Sequence, residues 1–338
     1  MTDVGVGPDD TRVAVLEAIG DGATGPELAE ALGVSRTAVW NHVEACREAG
    51  FAVESGPDGY RVTGVPEFGA LAVVSGLDAP FRVEYHDAIE STNDLARELA
   101  ASGADDVVVL ADEQTGGRGR RDRAWASPSG GVWASTVLRP DVSPARASLV
   151  TLAGAVAVTR AAREAGVDAR IKWPNDVVVP ASGDAAATDP GVADTTGDTD
   201  DGTDRGGAKL AGVLTEMSGE TGRLEWVVLG TGVNANVPAG ALPAGATSLQ
   251  VASGGPVDRR RFTQRLLEEL ADLVDDLDAV LDAWCTHETT LGRRVRVQTP
   301  GGGVEGTAVD VTPAGALVVE TGSGRETVFA GDCEHLRF

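Results

Sequence analysis

The sequence predicts a three-domain α+β protein, and three stretches with different patterns along its 338 residues support this prediction. Residues 1–66 combine helix-type patterns with a hairpin, whereas strands and helices alternate over residues 67–288. Residues 289–338 consist of short apolar runs between glycine-rich turns. In that order, the patterns are typical of a winged helix-turn-helix, a mixed α/β domain and a small β-barrel of SH3-like size.

The winged helix-turn-helix is predicted from helix-capping residues and from the hairpin that follows them. Thr24 and Glu27 form a capping-box pattern at the start of a short helix. Ser35 is a suitable N-cap for a longer helix that ends at Gly50. Residues 51–63 surround a Gly-Pro-Asp-Gly turn with two short strand patterns, which predicts the wing.

The other two domains are predicted from the spacing of their apolar residues. Central strands are expected at residues 82–86, 107–111, 132–138, 171–173, 210–216 and 224–230. Central helices are expected at residues 91–101, around 149–157 and at 258–280. C-terminal strands are expected at residues 294–298, 307–311, 317–320 and 327–330. Residues 64–80 indicate a connector, and residues 181–208, with seven aspartates and one arginine, indicate a flexible acidic insertion.

Composition limits the classes of function that the chain can have. The formal net charge is −24, which excludes a general basic surface for nucleic acid and which we interpret as adaptation to a salty cytoplasm. No apolar run is long enough to span a membrane, and the N-terminus lacks a signal-peptide pattern. Three widely spaced cysteines and four scattered histidines form no metal-type cluster, so a reduced cytoplasmic setting is expected.

Only two lysines occur beside 26 arginines, and each opens an unusual string. Lys172 opens Lys-Trp-Pro-Asn-Asp, and Lys209 opens Lys-Leu-Ala-Gly. Lysine provides a compact point charge where arginine provides a planar fork, so the two lysines predict a tight site for a carboxylate or phosphate. Within the first string, Asp176 can hold Mg²⁺ on a triphosphate and Asn175 can bond a base or phosphate. Chance survival of the lysines and a plain turn after Pro174 are the alternatives.

A second anion-binding pattern is the arginine loop, residues 116–125, in which Gly-Gly-Arg-Gly-Arg-Arg-Asp-Arg-Ala-Trp holds four arginines. Its glycines let backbone N–H groups approach a ligand, and its guanidinium groups can pair with carboxylate or phosphate oxygens. The loop follows the strand predicted at residues 107–111, and ligands in α/β domains usually bind at the carboxyl end of such a strand. The alternative is a solvated surface loop.

Two further segments can present side chains to a small polar ligand. Ser91, Thr92 and Asn93 can cap a helix, or they can offer hydroxyl and amide groups to a ring such as a ureido group. Residues 230–236 end another strand with convergent amides, although alone they also indicate a turn. The sequence contains no evident Ser-His-Asp or Cys-His arrangement for nucleophilic catalysis.

Together these motifs resemble one family, the bifunctional biotin–protein ligases that double as biotin operon repressors. The matching strings are Glu90–Asn93, Gln114 with Gly117–Arg121, Lys172–Asp176, Lys209–Gly212 and Gly232–Asn234. Their order and the three-domain layout also match, and the resemblance spans nearly the whole chain. Two departures are Asp122, where the loop of the family usually has glycine, and the unusual length of the acidic insertion.

The resemblance implies a class II synthetase-like central domain and a biotin–[acetyl-CoA-carboxylase] ligase activity. Biotin and ATP, with Mg²⁺, would give biotinyl-5′-AMP, and biotin would then pass to a lysine of a biotin carboxyl carrier protein or domain. Such chemistry depends on positioning and charge neutralisation and needs no protein nucleophile. The family also implies operator DNA as a partner, no membrane association, and a homodimer when loaded with biotinyl-AMP.

The resemblance further implies roles for individual residues. The biotin site would consist of Ser91, Thr92, Asn93, Gln114, Arg118, Gly119, Arg120 and Lys209. The catalytic charges would be Lys209, Arg118, Arg120 and Arg121, with Lys209 bridging the biotin carboxyl group and the α-phosphate. The nucleotide would contact Trp125, Asn175 and Asn234, and Asp176 would hold Mg²⁺.

DNA contacts are expected from the helix that follows Ser35, with Ser35, Arg36, Asn41 and His42 as candidates. Residues 1–64 nevertheless carry four basic and eleven acidic side chains, and binding driven by phosphate contacts weakens steeply with salt. A structural or ligand-gating role for this domain therefore stays open. Two alternatives to the ligase are a lipoate or octanoate ligase or transferase of the same fold, and a regulator that senses biotin without catalysis.

Overall fold

The computed structural model describes residues 5–20, 22–180, 203–204, 206–220, 222–299 and 301–336, so most of the predicted acidic insertion lies outside the described residues. The N-terminal domain contains α1 (Thr11–Ile19), α2 (Gly25–Leu32), α3 (Arg36–Glu48), β1 (Ala52–Gly56) and β2 (Gly59–Gly64). The predicted capping box of Thr24 and Glu27 is present, and Ser35 caps α3. β1 and β2 pair as an antiparallel hairpin, which confirms the winged helix-turn-helix.

The central domain is built on a seven-stranded sheet with helices on both faces. After α4 (Ala70–Val74), its elements are β3 (Arg82–Ile89), α5 (Thr92–Ala101), β4 (Val107–Gln114), β5 (Val132–Leu138), α6 (Ala147–Glu164), β6 (Arg170–Lys172) and β7 (Asp176–Val179). The two-residue strand β8 (Thr203–Asp204) precedes β9 (Ala208–Glu220), β10 (Arg223–Val233), α7 (Leu249–Ser253), α8 (Arg259–Asp275) and α9 (Val280–His287). The strand order is β3-β4-β5-β10-β9-β7-β6, and among the described strands of this sheet β3 and β4 form the one parallel pair.

The strand β4 shows why a continuous apolar run was visible in the sequence. Val107 and Val109 pack with α5 residues on one face of the sheet, whereas Val108 and Leu110 belong to the larger core that contains α6. A strand covered on both faces needs apolar residues at every position. The polar residues Asp112, Glu113 and Gln114 form the end of β4 and are half-buried or exposed, so they begin where this double cover ends.

Two predicted segments differ from the structure. The helix expected at residues 258–280 ends at Asp275, and α9 begins separately at Val280. Asp272, Asp275 and Asp276 crowd the carboxyl end of α8, where negative charge opposes the helix dipole, so the chain turns there. The connector predicted at residues 64–80 contains the helix α4, whose five residues are all buried.

The C-terminal domain is an antiparallel sheet of five local strands. They are β11 (Arg294–Thr299), β12 (Gly302–Val311), β13 (Leu317–Thr321), β14 (Gly324–Val328) and β15 (Asp332–Leu336). The order is β14-β13-β12-β11-β15-β8, and no ladder within the described ranges joins β14 to the opposite edge. The predicted SH3-like β-barrel is therefore not confirmed. Among the described residues, every helix is too short or too polar to span a bilayer.

Candidate active site

A cavity of about 530 Å³ lies where the ends of the central strands meet the C-terminal domain, a volume that suits a small-molecule site. Every residue that the sequence predicted for biotin, nucleotide or Mg²⁺ lines it. These residues are Ser91, Thr92, Asn93, Gln114, Arg118, Gly119, Arg120, Trp125, Asn175, Asp176, Lys209 and Asn234. Arg121, predicted as a catalytic charge, does not line the cavity and instead contacts the C-terminal domain.

A buried polar network lies at the start of α5. The side-chain oxygen of Gln114 accepts hydrogen bonds from the backbone N–H of Thr92 at 2.9 Å and from its hydroxyl at 3.0 Å. The hydroxyl oxygen of Ser135 lies 2.7 Å from Thr92 Oγ1 and 2.5 Å from Asn93 Oδ1. The amide of Asn93 donates to Glu216 Oε2 at 2.7 Å. These bonds fix one orientation for each side chain, which suits recognition of a small polar ring.

Ser91 caps α5, because its hydroxyl accepts a hydrogen bond from the backbone N–H of Asp94. The same residue is buried and lines the cavity, so helix capping and a position in the site are compatible for Ser91. Ser135 and Glu216 were missed as members of the network. They lie far from Ser91 in the chain, and only strand pairing brings them close, so no local spacing could have found them.

Three glycines leave room for the side chains of Asn93 and Trp125. A Cβ on Gly230 would lie 2.3 Å from Asn93 Oδ1. A Cβ on Gly232 would lie 2.9 Å from Trp125 Nε1, and one on Gly212 would lie 3.4 Å from the same indole. Since real Cβ atoms do not approach other atoms within 3.0 Å, Gly230 and Gly232 cannot carry a larger side chain without displacing a cavity residue.

Lys209 lines the cavity and contacts two other lining residues. Its ammonium group lies 2.7 Å from Asp176 Oδ1 and 5.0 Å from the centroid of the Trp125 ring. Lys209 and Asp176 sit on the neighbouring strands β9 and β7, where Lys209 pairs with Val178. The strand register therefore fixes the point charge of Lys209 beside the carboxylate of Asp176.

Arg118 and Arg120, in the arginine loop, contact different parts of the site. Arg118 donates to Asp94 Oδ2 at 2.9 Å, and this hydrogen bond lowers the pKa of Asp94, which keeps the pair charged at neutral pH. Arg120 donates to Asn175 Oδ1 at 3.1 Å and to the carbonyl of Gly331 at 3.0 Å. Burial lowers the pKa of Arg120, although an arginine remains protonated under any ordinary condition.

The predicted nucleotide residues are held by the backbone. Asn175 donates to the carbonyl of Val213 at 2.8 Å, and Asn234 donates to the carbonyl of Thr247 at 3.0 Å. Lys172, the other lysine predicted to belong to an anion site, is buried and lines the same cavity. Over the described residues, no three acidic, cysteine or histidine side chains converge as a preformed metal cage. Asp176 can contribute one oxygen to a Mg²⁺ held mainly by substrate phosphates, which is the usual mode for this ion.

The DNA-binding candidates lie on the exposed side of α3. Ser35, Arg36 and Asn41 are exposed and His42 is half-buried, whereas Val39 points into the core. Trp40 is 54% exposed on the same helix. The polar side of α3 is therefore accessible to the groove of a DNA duplex.

Comparison with known proteins matches all three parts of the chain. The biotin/lipoate A/B protein ligase family matches residues 85–234, the biotin protein ligase C-terminal domain matches residues 290–336, and a helix-turn-helix domain matches residues 13–61. The bifunctional ligase/repressor BirA of Bacillus subtilis is 33% identical over 332 residues, which cover 92% of this chain and 93% of that protein. The biotin–[acetyl-CoA-carboxylase] ligase of Paracoccus denitrificans is 32% identical over 256 residues, which cover 72% of this chain and 96% of that protein.

Solved structures show the same fold over about three quarters of the chain. The biotin protein ligase from Aquifex aeolicus in complex with biotin and ATP has a TM-score of 0.58 and 21% identity, and the match covers 76% of this chain and 99% of that one. The match to the Bacillus subtilis protein, together with the family models, confirms the family predicted from the lysine strings and the arginine loop. The chain belongs to the biotin–protein ligase family and has the domain content of its bifunctional ligase/repressors.

Proposed function

We propose that the chain activates biotin with ATP to form biotinyl-5′-AMP and transfers the biotin to a lysine of a biotin carboxyl carrier protein. The observation that carries this proposal is the shared cavity, which is lined both by a hydrogen-bonded polar network and by Lys209. The network suits the neutral ureido ring of biotin, and the cation suits its carboxylate. The names of the relatives support the same reaction.

The cavity supplies the charge that this reaction requires. A biotin carboxylate must attack the α-phosphorus of ATP, so two anions must be held together while pyrophosphate leaves. We assign Lys209 to bridge the carboxylate and the α-phosphate, with Arg118 and Arg120 neutralising charge from the arginine loop. Thr92, Asn93 and Gln114 would orient the ring, and no side chain needs to act as a nucleophile.

The nucleotide assignments belong to the same proposal. Trp125 offers an aromatic face beside Lys209, and Asn175 and Asn234 lie on loops fixed by backbone contacts. Asp176 would hold Mg²⁺, which neutralises the triphosphate when bound. Ser91 and Gly119 complete the wall of the biotin site. Arg121 is better assigned to holding the arginine loop than to contacting substrate, because it lies outside the cavity.

Biotin-dependent ATP–pyrophosphate exchange tests the proposed function. The assay should contain Mg²⁺ and molar KCl, with lipoate and octanoate as control acids. We expect exchange with biotin alone. Exchange with lipoate or octanoate instead would assign the chain to the other ligases of this fold, and biotin binding without exchange would indicate a regulator that does not catalyse.

Arg120→Ala should make the enzyme release its intermediate. Arg120 joins the arginine loop to Asn175 and to Gly331, so its loss frees the loop above the cavity. We expect the fraction of biotinyl-5′-AMP that remains bound after gel filtration to fall about tenfold, while pyrophosphate exchange falls less. Arg325→Ala, on the exposed surface of β14, is the matched control. Equal retention by the two variants would contradict the proposed closure.

We also propose that α3 gives the chain a biotin-responsive repressor function. The exposed side chains of Ser35, Arg36, Asn41 and His42 can reach a groove and its phosphates. In a gel shift with the upstream DNA of its own gene, biotin, ATP and high KCl, Arg36→Ala should weaken binding about tenfold. Arg223→Ala, in the central domain, should bind like the unchanged protein. If no DNA sequence is protected, the domain has a structural role.

Several further expectations remain proposals. We retain the boundaries 1–66, 67–288 and 289–338, a class II synthetase-like central domain and an SH3-like C-terminal domain. The acidic composition is proposed to suit a salty cytoplasm, and the loaded form is proposed to be a homodimer. Sedimentation with and without biotin and ATP, compared at low and molar KCl, tests the last two together.

A further inference from the structure

The arginine loop is held by the C-terminal domain as well as by the central domain. Arg121 donates to Asp332 Oδ2 at 3.1 Å and to the carbonyl of Gln298 at 2.8 Å. Arg123 pairs with the same carboxylate oxygen of Asp332. Together with the bond from Arg120 to Gly331, three of the four loop arginines therefore end on one side of the C-terminal sheet.

The fold places Asp332 where it can serve both arginines. Asp332 is the first residue of β15, and it pairs in register with Gln298 at the end of β11. Its side chain is 21% exposed, and it also lines the cavity. The carboxylate thus lies at the junction of the cavity, the loop and the C-terminal sheet.

The ion pairs of Arg121 and Arg123 with Asp332 are weak enough to form and break reversibly. The side chains of Arg121 and Arg123 are 43% and 68% exposed, so solvent screens each pair and neither can hold the loop permanently. Arg121 also has a φ of 56°, a left-handed conformation that a non-glycine residue adopts at a cost. Its side-chain contacts with Asp332 and Gln298 help to maintain that conformation.

We propose that Asp332 is a positioning residue that latches the arginine loop onto the C-terminal domain and so sets how often the cavity opens. This proposal rests on the proposed ligase function. The reaction needs both states, because a closed loop excludes water from the mixed anhydride whereas the acceptor lysine can attack only when the cavity opens. A weak ionic latch permits both.

Trypsin gives a test that does not depend on activity, because the loop offers Arg121 and Arg123 as cleavage sites. The unchanged full-length protein, Asp332→Asn and Asp332→Glu are digested briefly, and the peptides cut after Arg121 and Arg123 are quantified by mass spectrometry. Asp332→Asn should be cut about tenfold faster, equivalent to about 1.4 kcal/mol in loop opening. Asp332→Glu should restore slow cleavage. Glu326→Gln, an exposed carboxylate in β14 of the same domain, is the matched control.

Retention of biotinyl-5′-AMP gives the functional readout. Asp332→Asn should lose the bound intermediate about tenfold faster, with little change in the KM for ATP, whereas Asp332→Glu and Glu326→Gln should retain it. Equal trypsin cleavage of the unchanged protein and Asp332→Asn would overturn the latch. If Asp332→Asn folds poorly, Arg123→Gln removes the loop side of the pair, and cleavage after Arg121 should accelerate instead. Absence of biotin-dependent exchange in the unchanged protein would refute the ligase function, while the proteolysis result would still decide the latch.

Discussion

Lys209→Arg should reduce biotin-dependent pyrophosphate exchange by about 10²–10³-fold, the range seen when one preorganised donor is removed from a reacting centre. Lys209 places a compact charge 2.7 Å from Asp176 and 5.0 Å from the Trp125 ring centroid. A guanidinium group is planar and wider, so it cannot occupy this position and still bridge two substrate anions. The loss should appear in kcat more than in the KM for biotin, because in the proposed mechanism the charge acts on the reacting atoms.

The control for this prediction is an arginine-to-lysine substitution at a residue outside the cavity. Arg223→Lys alters an exposed residue that forms an ion pair with the exposed Asp141 at 3.3 Å, and it should leave exchange unchanged. Melting temperatures should be equal for both variants, which separates chemistry from stability. Exchange close to that of the unchanged protein in Lys209→Arg would show that Lys209 does not act at the reacting centre.

Local patterns predicted most of the secondary structure because the responsible forces act locally. Thr24 and Glu27 satisfy open N–H groups at the start of α2, and residues 107–111 of β4 are all apolar because helices cover both faces of the sheet there. The C-terminal end of α8 was harder to predict from the sequence, since a periodic apolar pattern continues through Leu277 although the helix ends at Asp275. Closure of the C-terminal sheet depends on pairing between distant strands, which no local pattern contains.

The site residues that lie in contiguous sequence motifs could be predicted from the sequence. The strings at Ser91, Lys172 and Lys209 each place side chains at a strand or helix end, and the structure brings them to one cavity. Ser135, Glu216 and Asp332 were not predicted, because each is an ordinary residue in its own sequence neighbourhood. Their importance arises from strand pairing and domain contact, through which Ser135 and Glu216 meet Asn93 and Asp332 meets the arginine loop.

Gly230→Ala should weaken biotin binding roughly ten- to hundredfold, since a disturbed buried polar group costs about 1–3 kcal/mol. An added Cβ would lie 2.3 Å from Asn93 Oδ1, so Asn93 must move. That movement breaks its contact with Ser135 at 2.5 Å and its bond to Glu216 at 2.7 Å. Because Gly230 has no positive φ, the effect is steric and does not arise from backbone strain.

Gly240→Ala is the matched control, because its added Cβ would meet nothing within 4 Å and its φ is not positive. Biotin titration by calorimetry and thermal unfolding should be measured for both variants. We expect Gly230→Ala to lose affinity and some stability, as overpacking usually costs about 1–3 kcal/mol, and Gly240→Ala to change neither. Unchanged biotin affinity in a folded Gly230→Ala protein would remove Asn93 and its network from the biotin site, and the search for that site would then move toward Lys209 and Trp125.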